Sequence, residues 1–459
     1  MEKPTGSFRD RIAYLDEFGQ RLRIIPAEVR GVWRNRRSLV HIFLMILFLV
    51  LPWIKVNGYQ ALFLDFAHRQ FTFFGLRFWS HDAPLFFLVL ASLAIGLALV
   101  TALVGRVWCG WACPQTVFLD GFIRRIEYWI EGNHLQQRAL DAAPWGFSKV
   151  FKKISKWILF VGFVALLTHS FLAYFVGGER LLEMVQRPPA ENWWNFSFIL
   201  ATTGILLLDL TWFREQFCLI VCPYGRFQSI FHDRDTVTVQ YDVKRGEPRK
   251  SQTGASRGHC IDCKKCVQVC PTGIDIRNGL QIECIACTAC IDACDEIMEK
   301  VKQPKGLIRY MPSVDREPRW FRSRVLLYAG FLTVLVSVLA IAVIRRDSLD
   351  VVILKTKELP FFVKEGTSGP LIVNSYRLHV HNEGHEVQEI QISLSEKNPW
   401  VSARLIISEQ VLKLKEGEFR MIPFVVEVPE SDFVSHQGKK LIFKVQSLEY
   451  EVDFVGPRN

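Results

Sequence analysis

Five long apolar stretches punctuate an otherwise charged chain, at roughly 38–54, 83–105, 157–178, 192–213 and 325–344. Each approaches the about 17–25 residues that a helix needs to cross a bilayer. With no water in hydrocarbon to satisfy the backbone, such stretches are predicted to be helices. The first is the shortest, and the fourth carries Asp209. Between Gly121 and Gly132 the period changes: Phe122, Ile126, Trp129 and Ile130 alternate with Arg124, Arg125 and Glu127 at helical spacing. That pattern predicts a helix lying in the cytoplasmic interface. From about 350 onward the pattern alternates, as in Tyr376, Leu378, Val380 and Val387, Ile390, Ile392, Leu394, with turn signals at Asn382, Gly384 and Gly417. Several short strands over about 105 residues predict an all-β sandwich.

Composition agrees with a membrane protein: half of the 459 residues are hydrophobic, with 35 Phe and 13 Trp. Trp53, Tyr59, Phe71, Phe73, Phe74, Phe78 and Trp79, and then Trp193 and Trp194, read as interfacial belts. The net charge of +10 is unevenly spread. Nine Lys or Arg precede the first stretch, eight lie in 106–156 and eighteen in 214–322, against three in 55–82 and two in 179–191. Since positive loops stay inside, the N-terminal segment 1–37 and residues 243–322 are expected in the cytoplasm and the tail 350–459 in the periplasm. The basic start does not resemble a cleavable signal peptide. The charge therefore reflects topology and contact with anionic lipid, not nucleic-acid binding. Residues 38–242 form the four-span part, and the polar stretches 244–259 and 295–322 read as flexible tethers around an insert.

Eight of the twelve cysteines stand in that insert, as Cys260, Cys263, Cys266, Cys270 and Cys284, Cys287, Cys290, Cys294, each run spaced C-x2-C-x2-C-x3-C. This is the ligand pattern of two [4Fe-4S] clusters, in which the fourth cysteine of each run reaches the other cluster. It assigns Cys260, Cys263, Cys266 and Cys294 to one, and Cys284, Cys287, Cys290 and Cys270 to the other. Zinc is the alternative reading of paired C-x2-C motifs, and the x3 before each last member suits it poorly. A disulfide scaffold is excluded by the same close packing. Pro271 follows Cys270 as a bacterial ferredoxin pattern expects, whereas Asp295 follows Cys294.

The other four cysteines also pair. Cys109 and Cys113 in WCGWACPQTVF and Cys218 and Cys222 in FCLIVCPYGRF both read C-x3-C-P, have a Phe four residues beyond the Pro, and lie 109 residues apart just past a span. A two-helix unit is therefore repeated, bringing four thiols to equivalent positions about a pseudo-two-fold axis. Soft thiolates suit Cu(I), zinc or iron–sulfur, so the set is a candidate copper site or an additional cluster; inert buried cysteines are the bland alternative. His41, His169 and Asp209 are ionisable groups at membrane depth and hence functional candidates, although no C-x2-C-H motif supports haem. His379, His381 and His385 on the tail are either metal ligands or solvated strand residues.

The order of these parts, with WCGWACP, CPYGRFQ, a two-cluster insert, a fifth span and a β tail, resembles the CcoG family, also called FixG or RdxA. The resemblance covers nearly the whole chain. It implies a five-span helical membrane protein with an inserted α+β two-cluster ferredoxin and an immunoglobulin-like tail in the bacterial inner membrane. The implied activity is that of an oxidoreductase, reducing Cu(II) to Cu(I) for assembly of the cbb3-type cytochrome c oxidase. Implied partners are the copper-exporting P-type ATPase and other assembly factors of that oxidase. The eight insert cysteines and the four of the C-x3-C-P pairs carry over one by one. Two rivals remain: a quinol-oxidising relay to an external or membrane acceptor, and a redox-sensing assembly scaffold. No nicotinamide or flavin fingerprint identifies the electron donor.

Overall fold

Among the described residues, five helices are long and apolar enough to cross a membrane: Val32–Trp53, Ala83–Val104, Phe147–Val176, Pro189–Phe213 and Ser323–Ile344. The computed structural model describes residues 24–457 apart from 67–69, 79–81, 250–257, 314–316, 346–348, 357–359, 367–368, 383–386, 410, 416, 436–439 and 447. The expected number of spans is observed, but the first and third start six and ten residues earlier than hydropathy suggests. The reason is packing. The early turns of the third carry Lys149, Lys153 and Lys156, whose ammonium groups are held by Asp141, Ala143 and Glu131, so the helix continues beyond the apolar run on paired charge.

The chain forms two compact units divided near residue 340. In the first, the cysteine-rich insert is built onto the spans. The second span ends at Gly105, in the left-handed region at φ 61°, where a Cβ would stand 2.6 Å from Thr238. Strand Thr238–Tyr241 begins there and pairs antiparallel with Ile308–Met311, Val239 opposite Tyr310. Helix Ala289–Lys300 packs beneath, with Val239, Ile276, Ile291, Met298, Leu307 and Ile308 as core. Residues 295–311, expected as a tether, thus supply the end of a helix and a strand, and Arg245 fastens their loop through the carbonyls of Pro304, Lys305 and Gly306. The insert also begins earlier than expected, at Thr238. Polar composition misled here because this domain's core is small and its cofactor ligands replace apolar residues.

The first span shows how closely the parts fit. Helix Val32–Val50 has no cap of its own. Its first N–H groups, from Trp33 and Arg34, donate instead to the Asp292 carboxylate at 3.2 and 2.7 Å, and Gly31 leaves the room that this carboxylate occupies. Trp33 wedges between Trp111 and Tyr310, with ring centroids at 6.1 and 5.4 Å.

The predicted helix is present as Arg124–Glu131. Arg124, Glu127 and Glu131 are buried and Trp129 is 80% exposed. The charges face inward because each finds a partner: Arg124 with Asp120 and Glu215, Glu127 with Arg214, Glu131 with Lys153 and Lys156. Beyond the first span, Leu62–Asp65, Gln70–Phe73 and Leu76–Phe78 make a small sheet. Phe71, Phe73 and Phe78 pack on Phe86 there, so these belt aromatics also form a core. Trp79 lies outside the described residues.

The second unit is the expected all-β sandwich. One sheet runs Arg404–Ile407, Phe419–Pro429, Gly369–Asn382, Leu349–Lys355, with Phe362–Gly366 also on Gly369–Asn382; the other runs Val411–Leu414, Gln388–Leu394, Lys440–Val445, Leu448–Asp453. Alternate residues Ile372, Tyr376, Leu378 and Val380, with Phe424 on the neighbouring strand, meet Ile390, Leu412 and Phe443 of the other sheet across the interior. His379 and His381 both lie against the Phe419 ring, and among the described residues no group of three His, Cys, Asp or Glu side chains is placed to hold one metal ion. His385 lies outside the described residues.

Candidate electron-transfer site

The two cysteine runs fold alike. On either side of the second cysteine the backbone turns left-handed, at Asp262 and Lys264 in the first run and at Ala286 and Thr288 in the second, with φ between 53° and 63°. None of the four is glycine, so each costs conformational energy that something must offset. Backbone alternating between left- and right-handed turns its N–H groups into one concavity, an anion-binding nest. Two such nests at matching positions suit a pair of anionic, thiolate-ligated groups.

The thiols group across the runs. Cys294, on helix Ala289–Lys300, lies within electrostatic reach of Cys266, Cys263 and Cys260. Cys270 is acted on by Cys287, and Cys284 and Cys290 both feel Cys287 and Cys270. Burial pushes the thiols up, Cys266 to about 11 and Cys284 and Cys294 to about 12, with neighbouring cysteines adding to it. Sulfur so buried is stabilised as thiolate only when metal takes the proton's place. The pairing of each run's last cysteine with the other run is the pattern of two four-iron clusters. Asp295, the departure from pattern, accepts from the Gly306 N–H at 2.8 Å and fixes the turn that follows Cys294's helix.

The four remaining cysteines sit where the two repeats meet. Cys113 and Cys222 are both extended, ψ 129° and 115°, and each stands just ahead of a proline that opens the next helix, Pro114–Phe118 or Pro223–Phe231. The repeats are joined by Arg106 donating to the Gly225 carbonyl at 2.7 Å, Gln115 to the Arg214 carbonyl at 3.1 Å and Cys109 to Gln228 at 3.9 Å, and by a hydroxyl–hydroxyl bond between Thr101 and Tyr224 at 2.7 Å. Cys109 feels Cys113 and Cys222; Cys218 feels all three others. Burial raises Cys109 to about 12 against the pull of Arg106. The local structure differs between repeats: Cys109 is in the short helix Val107–Trp111, Cys218 in the π-turn Phe217–Val221.

This rim set abuts the insert. A Cβ on Gly110 would collide with the carbonyls of Ile285 and Ala286, so the Cys109 helix rests on the backbone of the second cysteine loop, and Cys109, Ile285 and Cys287 share one buried cluster. Arg37, 2% exposed, clamps the junction: it donates to the Gly110 carbonyl at 2.7 Å, to the Cys287 carbonyl at 3.3 Å, and pairs with Asp120 at 2.9 Å. Arg106 bridges in charge, felt by Cys109 and Cys284 alike. In the sequence Arg37 and Arg106 enter only as topology charge and Asp120 not at all; no spacing marks them. Arg37→Met is expected to destabilise this junction by about 3–5 kcal/mol, because it removes one partner of the buried Asp120 carboxylate. Thermal unfolding of the detergent-solubilised protein reads it, and an unchanged melting temperature would refute the clamp.

His41 is 1% exposed beside Gly121, His169 bonds the Ala165 carbonyl at 2.7 Å, and Asp209 is buried near Gln115; none reaches the cysteines.

Cysteine nests on an insert fused to apolar spanning helices define a membrane-bound iron–sulfur electron-transfer protein, a polyferredoxin. Family models agree: a 4Fe-4S dicluster domain matches residues 213–313, a 4Fe-4S binding domain matches 85–133, and the IG-like fold at the C-terminal of FixG matches 339–457. The chain is 34% identical to protein RdxA of Cereibacter sphaeroides over 82% of its own length and 83% of that protein's. It is 32% identical to nitrogen fixation protein FixG of Rhizobium meliloti over 82% and 80%, and 34% identical to protein RdxB of Cereibacter sphaeroides over 82% and 83%. The chain belongs to the FixG/RdxA family.

Proposed function

We propose that this protein reduces Cu(II) to Cu(I) at Cys109, Cys113, Cys218 and Cys222 in the service of cbb3-type cytochrome c oxidase assembly. Two [4Fe-4S] clusters, held by Cys260, Cys263, Cys266, Cys294 and by Cys270, Cys284, Cys287, Cys290, supply single electrons. The reaction is one electron per ion and leaves the thiolates unoxidised. Soft sulfur binds the product better than the substrate, which favours reduction at the site. The observation that carries the proposal is the seating of the Cys109 helix on the Ile285–Cys287 backbone, which puts a thiol set beside a cluster loop. In this reading the insert and N-terminus face the cytoplasm of a bacterial inner membrane and the sandwich the periplasm. The copper-exporting P-type ATPase and other oxidase assembly factors are the partners.

The double variant Cys109→Ser, Cys113→Ser is expected to abolish Cu(II) reduction by the dithionite-reduced protein while the visible spectrum and iron content of the insert stay unchanged. Iron lost from the double variant would mean these cysteines ligate a cluster, and copper reduction surviving it would end the proposal.

A further inference from the structure

A cavity of about 510 Å³ opens where the third and fourth spans meet the insert. One wall is aromatic, with Trp157, Phe160, Trp212 and Phe213, the last two stacked at 5.9 Å with planes 13° apart. Another wall is polar and includes Glu215 and Gln216. The floor is Pro271 and Thr272, the residues directly after Cys270, and the Thr272 hydroxyl is 3.3 Å from the Cys270 sulfur.

The lining charges are already matched within the protein. Arg214 is held by Glu127 at 2.5 and 3.2 Å, Lys153 and Lys156 by Glu131 at 2.8 Å each, and Glu215 by Arg124. Among the described lining residues, a phosphate-bearing ligand would find each cation already paired with a carboxylate. A neutral, flat, amphiphilic ring with hydroxyl groups fits: rings stack on the aromatic wall, hydroxyls meet Glu215 and Gln216, and an apolar tail runs along the exposed face of Trp212 into lipid. Its volume lies within the about 300–1,000 Å³ of small-molecule pockets.

We propose that this cavity binds a membrane quinol and that the quinol is the electron donor to the cluster ligated by Cys270. The step balances: one quinol becomes one quinone, its two O–H bonds break, two electrons leave one at a time so that each of the two clusters takes one, and two protons pass by way of the Glu215 carboxylate to water. The inference goes beyond the copper reading and rests only on the electron-transfer class.

The test uses the full-length, cluster-loaded protein in nanodiscs under anaerobic conditions, with menadiol as the probe. Wild-type clusters are expected to bleach with menadiol, and Trp212→Ala, which removes an exposed ring wall, to slow bleaching at least about tenfold, the scale of loss when a reactant is no longer held in place. Gln216→Trp, which fills the cavity, is expected to do the same. In both, iron content and bleaching by dithionite stay at wild-type values. Clusters inert to menadiol, equal rates in wild type and both variants, or a bound phospholipid displaced by Gln216→Trp with menadiol inert would each overturn it. Because Cu(II) reduction is read separately from dithionite-reduced protein, failure of the copper proposal leaves this result standing, and the reverse.

Discussion

Cys270→Ala is expected to empty the cluster of the second cysteine run and spare that of the first, although Cys270 belongs to the first run in sequence. Its sulfur is acted on by Cys287, and it in turn acts on Cys284 and Cys290, while the first run's missing fourth partner is Cys294. Iron and acid-labile sulfide should fall by about half, as one of two four-iron groups is lost. The reduced protein's low-temperature paramagnetic spectrum should simplify to that of one isolated cluster. Double variants decide between cross-run and in-run ligation. Adding Cys287→Ala to Cys270→Ala should remove no further iron, whereas adding Cys263→Ala should remove the rest. The opposite pattern, with Cys263→Ala silent on the Cys270→Ala background, would show that each run holds its own cluster. Cys294→Ala should mirror Cys270→Ala, with Asp295 still bound to Gly306 so that its turn survives.

What could be read from the chain was what repeats or alternates. The spans, the C-x2-C-x2-C-x3-C runs, the duplicated C-x3-C-P and the strands of the sandwich each impose a period on side chains, which places these elements along the chain, although the first and third spans begin before their apolar runs. What could not be read depended on partners far away in sequence. Arg124, Glu127 and Glu131 have the spacing of a solvated helix face, yet turn inward because Glu215, Arg214, Lys153 and Lys156 are waiting there. No local pattern announces that pairing. Residues 295–311 have tether composition, yet Arg245 and a strand pairing order them. Asp292, a helix residue in an iron–sulfur motif, caps a membrane span more than 250 residues away. Positive φ at Ala286 and Thr288 is equally invisible, because nothing in an alanine or a threonine marks a left-handed turn.

Asp120→Asn is expected to destabilise the membrane-proximal core by about 3–5 kcal/mol, the cost of breaking a buried ion pair by removing one partner. The Asp120 carboxylate, 8% exposed, receives Arg34, Arg37 and Arg124, so the amide would leave three guanidiniums short of charge. Because Arg37 also holds Gly110 and Cys287, the loss should reach the clusters: their bleaching on heating should set in at lower temperature than in wild type. Glu296→Gln, which removes an exposed pair with Lys300, should change little, since such pairs contribute about 0–1 kcal/mol. Acid provides an independent check. Arg37, Arg34 and Arg124 overcome the burial of Asp120 and hold its carboxyl well below the usual range. A group depressed on folding adds stability that is complete above its unfolded value, about 3.9, and is lost as pH falls from there toward the folded value. The stability gap between wild type and Asp120→Asn should therefore be constant near neutrality and narrow only in acid below about pH 4. A gap that narrowed instead toward alkaline pH, or an Asp120→Asn protein as heat-resistant as wild type, would mean that the three arginines do not depend on this carboxylate.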